Sequence, residues 1–128
     1  MEADISGAQR KVVVAGVRPL DRAVGESGIA LRGGHTLPFA VARAWSAPAG
    51  VYAEQWFLVD PSTREVLFES ELRETLIWGL QSLTELTDEV VVPIDLSPGT
   101  YLVVFALGGL KGGEIEVEAS EPPAEEAA

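Results

Sequence analysis

Apolar residues recur at every second position through much of this chain. Val90, Val92, Ile94 and Leu96 form one alternating run and Tyr101, Val103, Phe105 and Leu107 the next, while Ile115 and Val117 alternate with glutamates. Period two is strand geometry, because successive Cβ atoms point to opposite faces. Three consecutive strands are therefore predicted between Asp88 and Ala119, the first two joined through Leu96-Ser97-Pro98-Gly99-Thr100-Tyr101. Upstream, Val12-Val13-Val14 suits a first or edge strand ended by Pro19. Thr36 to Trp45 sets Leu37, Phe39 and Val41 opposite Ala40, Ala42 and Ala44, which predicts a second long strand. From Val51 to Asp60, Tyr52, Trp56 and Leu58 face one way and Val51, Ala53, Phe57 and Val59 the other. That two-sided pattern fits a central strand, or one whose outer face meets a partner. Asp60-Pro61-Ser62-Thr63 matches a type I turn, so Val66 and Phe68 should return as the second arm of a hairpin. Between 71 and 87, Leu72, Leu76, Leu80 and Leu83 have helical spacing, whereas Thr75, Ile77, Trp78 and Gly79 disfavour a helix; a short helix and a strand both stay open there.

Short strands punctuated by turn signals predict an all-β fold, an antiparallel two-sheet β-sandwich. The segment Leu96-Ser97-Pro98-Gly99-Thr100-Tyr101-Leu102-Val103-Val104 resembles the start of the sixth strand in immunoglobulin-like and fibronectin type III-like domains, with Tyr101 near the strand start. The resemblance covers only the C-terminal part of the chain, and the cysteine pair of true immunoglobulin domains is missing. It implies the sandwich architecture and a binding or spacing role, without naming a partner.

At 128 residues the chain has the length of one ordinary domain. The patterned part spans 10–119, flanked by an arm at 1–9 without periodicity and an acidic, proline-rich tail at 120–128. Cysteine is absent, which removes disulfides, thiolate metal sites and cysteine nucleophiles. The net charge of −11 disfavours nucleic acid and anionic lipid as partners, since both recruit clustered lysine and arginine. No apolar run approaches the ~20 residues of a membrane span. The acidic start, Met1-Glu2-Ala3-Asp4, is unlike a secretory signal, so the expected location is cytoplasmic, or a virion if the chain is phage-derived.

Candidate chemistry is sparse. His35 is the only histidine and no serine lies in a Gly-x-Ser-x-Gly sequence, so no catalytic residue, cofactor or metal centre is expected. Glu114, Glu116 and Glu118 should share one strand face, as a solvated row that resists edge pairing; a calcium site and a docking stripe for a basic partner are the alternatives. Gly108-Gly109-Leu110-Lys111-Gly112-Gly113 lacks the Gly-Lys-Ser/Thr ending of a phosphate loop and reads as a flexible hairpin loop. Gly25, Gly28, Gly33 and Gly34 read as a mobile excursion.

The aromatics offer the better candidates for a binding surface: Trp45, Tyr52, Trp56 and Trp78. Trp56 or Tyr52 should lie between the sheets, with Trp45 and Trp78 near the rim. The leading expectation is a non-enzymatic module that works by protein contact, self-associating or docking on a larger assembly such as a virion surface. A soluble inhibitor or regulatory domain, and a carbohydrate or small-ligand module stacking on Trp45, Tyr52 and Trp56, are the other classes.

Overall fold

The computed structural model describes residues 9–122; the expected arm at 1–9 and tail at 120–128 lie, but for residue 9 and residues 120–122, outside that span. The chain folds as β1 (Lys11–Pro19), a 3₁₀ turn (Arg22–Val24), β2 (Ile29–Arg32), β3 (His35–Thr36), β4 (Phe39–Ser46), β5 (Gly50–Val59), β6 (Val66–Glu69), β7 (Arg73–Ile77), β8 (Thr84–Val90), β9 (Gly99–Leu107) and β10 (Leu110–Ser120). A small antiparallel sheet has the order β1-β4-β8. The larger sheet follows β3-β2-β10-β9-β5-β6, with β7 pairing β5 beyond β6. It is strongly curled, in half-barrel form, and mixed, because β10 meets β2 in parallel. Among the described residues no helix is long and apolar enough to cross a membrane.

The immunoglobulin-like reading is corrected by this architecture. The chain is all-β with two sheets, but one is a curled mixed half-barrel rather than one face of an antiparallel sandwich. The local feature behind the resemblance is real: the Tyr101 hydroxyl donates to the Ser97 carbonyl at 2.7 Å and ties the start of β9 to the preceding loop.

The alternation that predicts β5 and β9 survives in the core. Tyr101, Val103, Phe105 and Leu107 of β9, and Trp56 and Leu58 of β5, are buried against Phe39, Val41 and Trp45 of β4. At the β5–β6 turn the Asp60 carboxylate accepts from the Ser62 and Thr63 amides, which supports the hairpin read from Asp60-Pro61.

Other expectations need correction. No helix forms within 71–87: the segment is β7, a turn at Gly79 (φ +130°) and β8, and the four leucines with helical spacing are all exposed. Thr75 and Ile77 instead face inward, in strand alternation. The expected strand through 90–96 stops at Val90, because Pro93 cannot donate to a ladder; Val91 and Val92 point to solvent, and a lone bridge from Asp95 to His35 is all that follows. Pro38 likewise divides the predicted Thr36–Trp45 strand into β3 and β4. The glycine-rich excursion contains a core strand: Ile29, Ala30 and Leu31 of β2 are buried, while Gly33 and Gly34, at φ +62° and +83°, make the tight turn into β3.

Candidate binding cleft

The two sheets meet along one open side. β8 is an edge of the small sheet and β6 and β7 together form an edge of the large one; among the described residues β7 pairs only with β5 and β8 only with β4. Between these edges lies a cleft of about 580 Å³, lined by Trp56, Phe68, Ser70, Glu71, Asp88 and Val90 among others, and continued toward Trp78 by a second hollow of about 380 Å³.

Its floor is a charged network, built from positions that alternation assigns to the core. Arg43 follows Phe39 and Val41 on the inner face of β4, and Glu54 lies between Tyr52 and Trp56 on the inner face of β5; both are buried. The guanidinium forks onto the carboxylate, Nη2 to Oε1 at 2.6 Å and Nε to Oε2 at 2.8 Å. A third N–H, on Nη1, donates to the Val41 carbonyl at 3.2 Å. Trp45 on the small sheet donates its indole N–H to Glu54 on the large sheet at 2.9 Å. Reciprocally, Trp56 on the large sheet donates to Asp88 on the small one at 2.8 Å. Arg73 faces Glu54 across the β5–β7 ladder and so shares its side of the sheet; from there it pairs with Asp88 across the mouth of the cleft. Two carboxylates and two guanidiniums thus cancel; Glu54 is held by Arg43 and Trp45 from the small sheet, and Asp88 by Arg43 from the small sheet and by Trp56 and Arg73 from the large one. Buried charges are tolerated when they are paired and hydrogen-bonded in this way.

Burial works to raise the Asp88 carboxyl, but the Trp56 hydrogen bond and the guanidiniums of Arg43 and Arg73 outweigh it and hold the group below the usual carboxylate range. A depressed folded-state pKa contributes stability that is present above the unfolded value and lost as pH falls through the folded one. Chemical denaturation of the protein and of Asp88→Asn, from pH 6 downward, should show a gap between the two that persists to about pH 4 and closes below it. An unchanged gap at low pH would show that Asp88 contributes no ionised interaction.

The aromatic candidates divide. Trp56 is buried as expected and packs on Phe68 at 5.7 Å between ring centroids. Trp45, expected near the rim, is wholly buried; its Nε1–H has a partner in Glu54, which removes the cost of placing an indole in the core. Tyr52 is half-buried, with its hydroxyl donating to the Pro48 carbonyl and Arg10 over its ring. A stacking platform of Trp45, Tyr52 and Trp56 is therefore closed to a sugar. Trp78 is 67% exposed, just past β7.

Glu114, Glu116 and Glu118 point outward from β10 as the alternation requires. Yet β10 is an inner member of the sheet order, between β9 and β2, so the row guards no terminal edge. Glu114 pairs with Lys111 at 2.7 Å and with Arg64 at 3.5 Å, and Glu118 accepts from Thr100. Hydrogen bonding from Lys111, against a smaller effect of burial, holds the Glu114 carboxyl below its usual range. Among the described residues no three His, Asp or Glu side chains are grouped to hold a metal ion. His35 sits at an exposed position with Nδ1 2.7 Å from an Asp95 oxygen.

Sequence reading missed Arg43, Glu54, Arg73 and Asp88. A signal was present: Arg43 and Glu54 are opposite charges in core phase on successive strands, where an unpaired charge could not stay.

No protein-family model and no curated protein sequence matches the chain. Among solved structures, the alkylpurine DNA glycosylase AlkC of Pseudomonas fluorescens, bound to DNA containing an abasic site analog, is similar over 88% of this chain with 16% identity and a TM-score of 0.54. The β-glucosidase of Listeria innocua in complex with isofagomine aligns over the same 88% with 13% identity and a TM-score of 0.46. The chain spans 30% of the glycosylase and 16% of the glucosidase, and the glycosylase likeness is one of fold alone, to a β domain within a much longer protein.

Proposed function

We propose that this chain is a non-enzymatic all-β contact module that self-associates or docks on a larger assembly, of which a virion surface is one example. The observation that carries the reading is the apolar strip along β7 and the turn after it. Val51 and Leu76 are direct cross-strand partners with exposed side chains, and Trp78, Leu80 and Leu83 continue the exposure. Grouped exposed apolar residues around a tryptophan mark contact surfaces, whereas scattered ones need no explanation. The DNA of the glycosylase complex does not carry over, because a net charge of −11 opposes a polyanion.

Light scattering at tens of micromolar, on the protein and on Trp78→Ser, tests the reading. The protein should scatter as an oligomer and the variant as a monomer of 13.6 kDa. A monomer in both cases, with no difference in retention on an apolar matrix, would remove the support.

A further inference from the structure

We propose that the outer edge of β8 accepts an extended, lysine- or arginine-bearing peptide segment as an added strand, its side chains entering the cleft beside Trp56 and Phe68. The inference rests on the contact-module reading but is centred on the β8 edge and the cleft beside it, which the apolar strip meets at Leu76 and Trp78.

Three observations converge on it. The first is the edge. β8 pairs with β4 from Thr84 to Val90 in unbroken register, so among the described residues its other side offers backbone donors and acceptors without a ladder partner. Free edges are ordinarily blunted by proline, lysine or a bulge. The opposite edge of the same sheet has all three: β1 includes Lys11 and Pro19 and shifts register between Val12 and Val14. β8 has none of these three, and the guard it carries is acidic charge, from Glu85, Asp88 and Glu89.

The second is space. The cleft of about 580 Å³ runs beside this edge, with Trp56, Phe68, Val91 and Val92 as apolar walls. Alternate side chains of an added strand would reach into it, since they leave the backbone on opposite faces.

The third is charge. Glu71, Glu74, Glu85 and Glu89 line the cleft and its continuation with no ionic partner among the described residues, and the nearby cations, Arg43 and Arg73, are committed to Glu54 and Asp88. A second copy would bring the same acids of β8 against themselves, and like charges directly opposite are destabilising. Residues 1–8 and 123–128 carry only acidic ionisable side chains, so they do not complement the rim either. A basic segment does, and the carboxylates that exclude self-pairing then select the partner.

The probe is the end-capped heptapeptide Val-Lys-Val-Lys-Val-Lys-Val, titrated into the full chain at low salt. It should bind at least tenfold more tightly than its glutamate counterpart, weaken as salt rises, and protect amides of Thr84–Val90 from hydrogen exchange. Two alternately N-methylated versions sharpen the test, because strand addition uses every other peptide N–H: one version should lose at least tenfold and the other should bind like the parent. Equal loss or equal retention in both versions, no preference over the glutamate peptide, or protection at β1 instead of β8 would overturn the proposal. Val51→Ser, in the apolar strip but outside both hollows, should leave peptide binding within about twofold. Failure of the peptide with oligomerisation intact would therefore count against this inference alone.

Discussion

Arg43→Ala should lower the unfolding free energy by about 3–5 kcal/mol, the range expected when one member of a buried ion pair is removed and the other stays behind as an uncompensated charge. Here the remaining charge is Glu54, 1% exposed and left with only the Trp45 indole N–H. The measurement is the urea midpoint at constant slope, which separates lost stability from a changed denatured state. The joint variant Arg43→Met with Glu54→Leu removes both charges at similar volume, and should recover most of the loss. It should still fall short of the parent protein, because the Trp45 donor would then be buried without an acceptor, at a cost of about 1–3 kcal/mol. A joint variant as unstable as Arg43→Ala would show that the network acts by shape rather than by charge pairing.

Gly112→Ala should cost about 1–3 kcal/mol, the usual penalty for overpacking a filled core. A Cβ at this position would lie 2.3 Å and 2.6 Å from ring carbons of Trp45 and 3.2 Å from the Arg10 carbonyl oxygen. The far end of a side chain can often swing aside, but this indole is wholly buried and its N–H is held by Glu54. Gly16→Ala in β1 is the matched control: nothing lies within 4 Å of the added methyl group, and the change should stay within about 0.5 kcal/mol. Thermal denaturation of the two variants side by side checks the contrast, and equal effects would mean that Trp45 is not confined as described.

That contrast marks where sequence reading reaches its limit. β9 was legible because its neighbours on both sides leave only one apolar face to the core, and Tyr101, Val103, Phe105 and Leu107 express that directly. The Asp60 turn was legible because its chemistry is local, the carboxylate meeting amides two and three residues on. Gly112 gave the opposite impression: among glycines it reads as loop, yet it lies in β10 and its missing side chain is the space that Trp45 occupies from the other sheet. Leu72, Leu76, Leu80 and Leu83 misled for a related reason. Their spacing imitates a buried helical stripe, whereas the strand buries Thr75 and Ile77 and sends the leucines outward, a choice made by the β5 ladder and not by the segment itself. Of the cleft, Trp56 was anticipated as an inside residue, but its link to Asp88 spans both sheets and leaves no trace in local pattern.

The position of β10 bears on how the molecule can be made. The last of the described strands is not added at a margin: it lies between β9 and β2, meeting Ile29 and Ala30 through Ala119 and Ser120. Among the described residues, the ribbon formed by β2 and β3 has no other ladder to the rest of the large sheet. The pairings of β5 with β9 and of β4 with β1 and β8 need no contact with β10, whereas the β2–β3 ribbon gains its ladder to the large sheet when β10 is in place. Completion of the half-barrel is thus governed by contacts between distant parts of the chain, the kind of closure that slows folding.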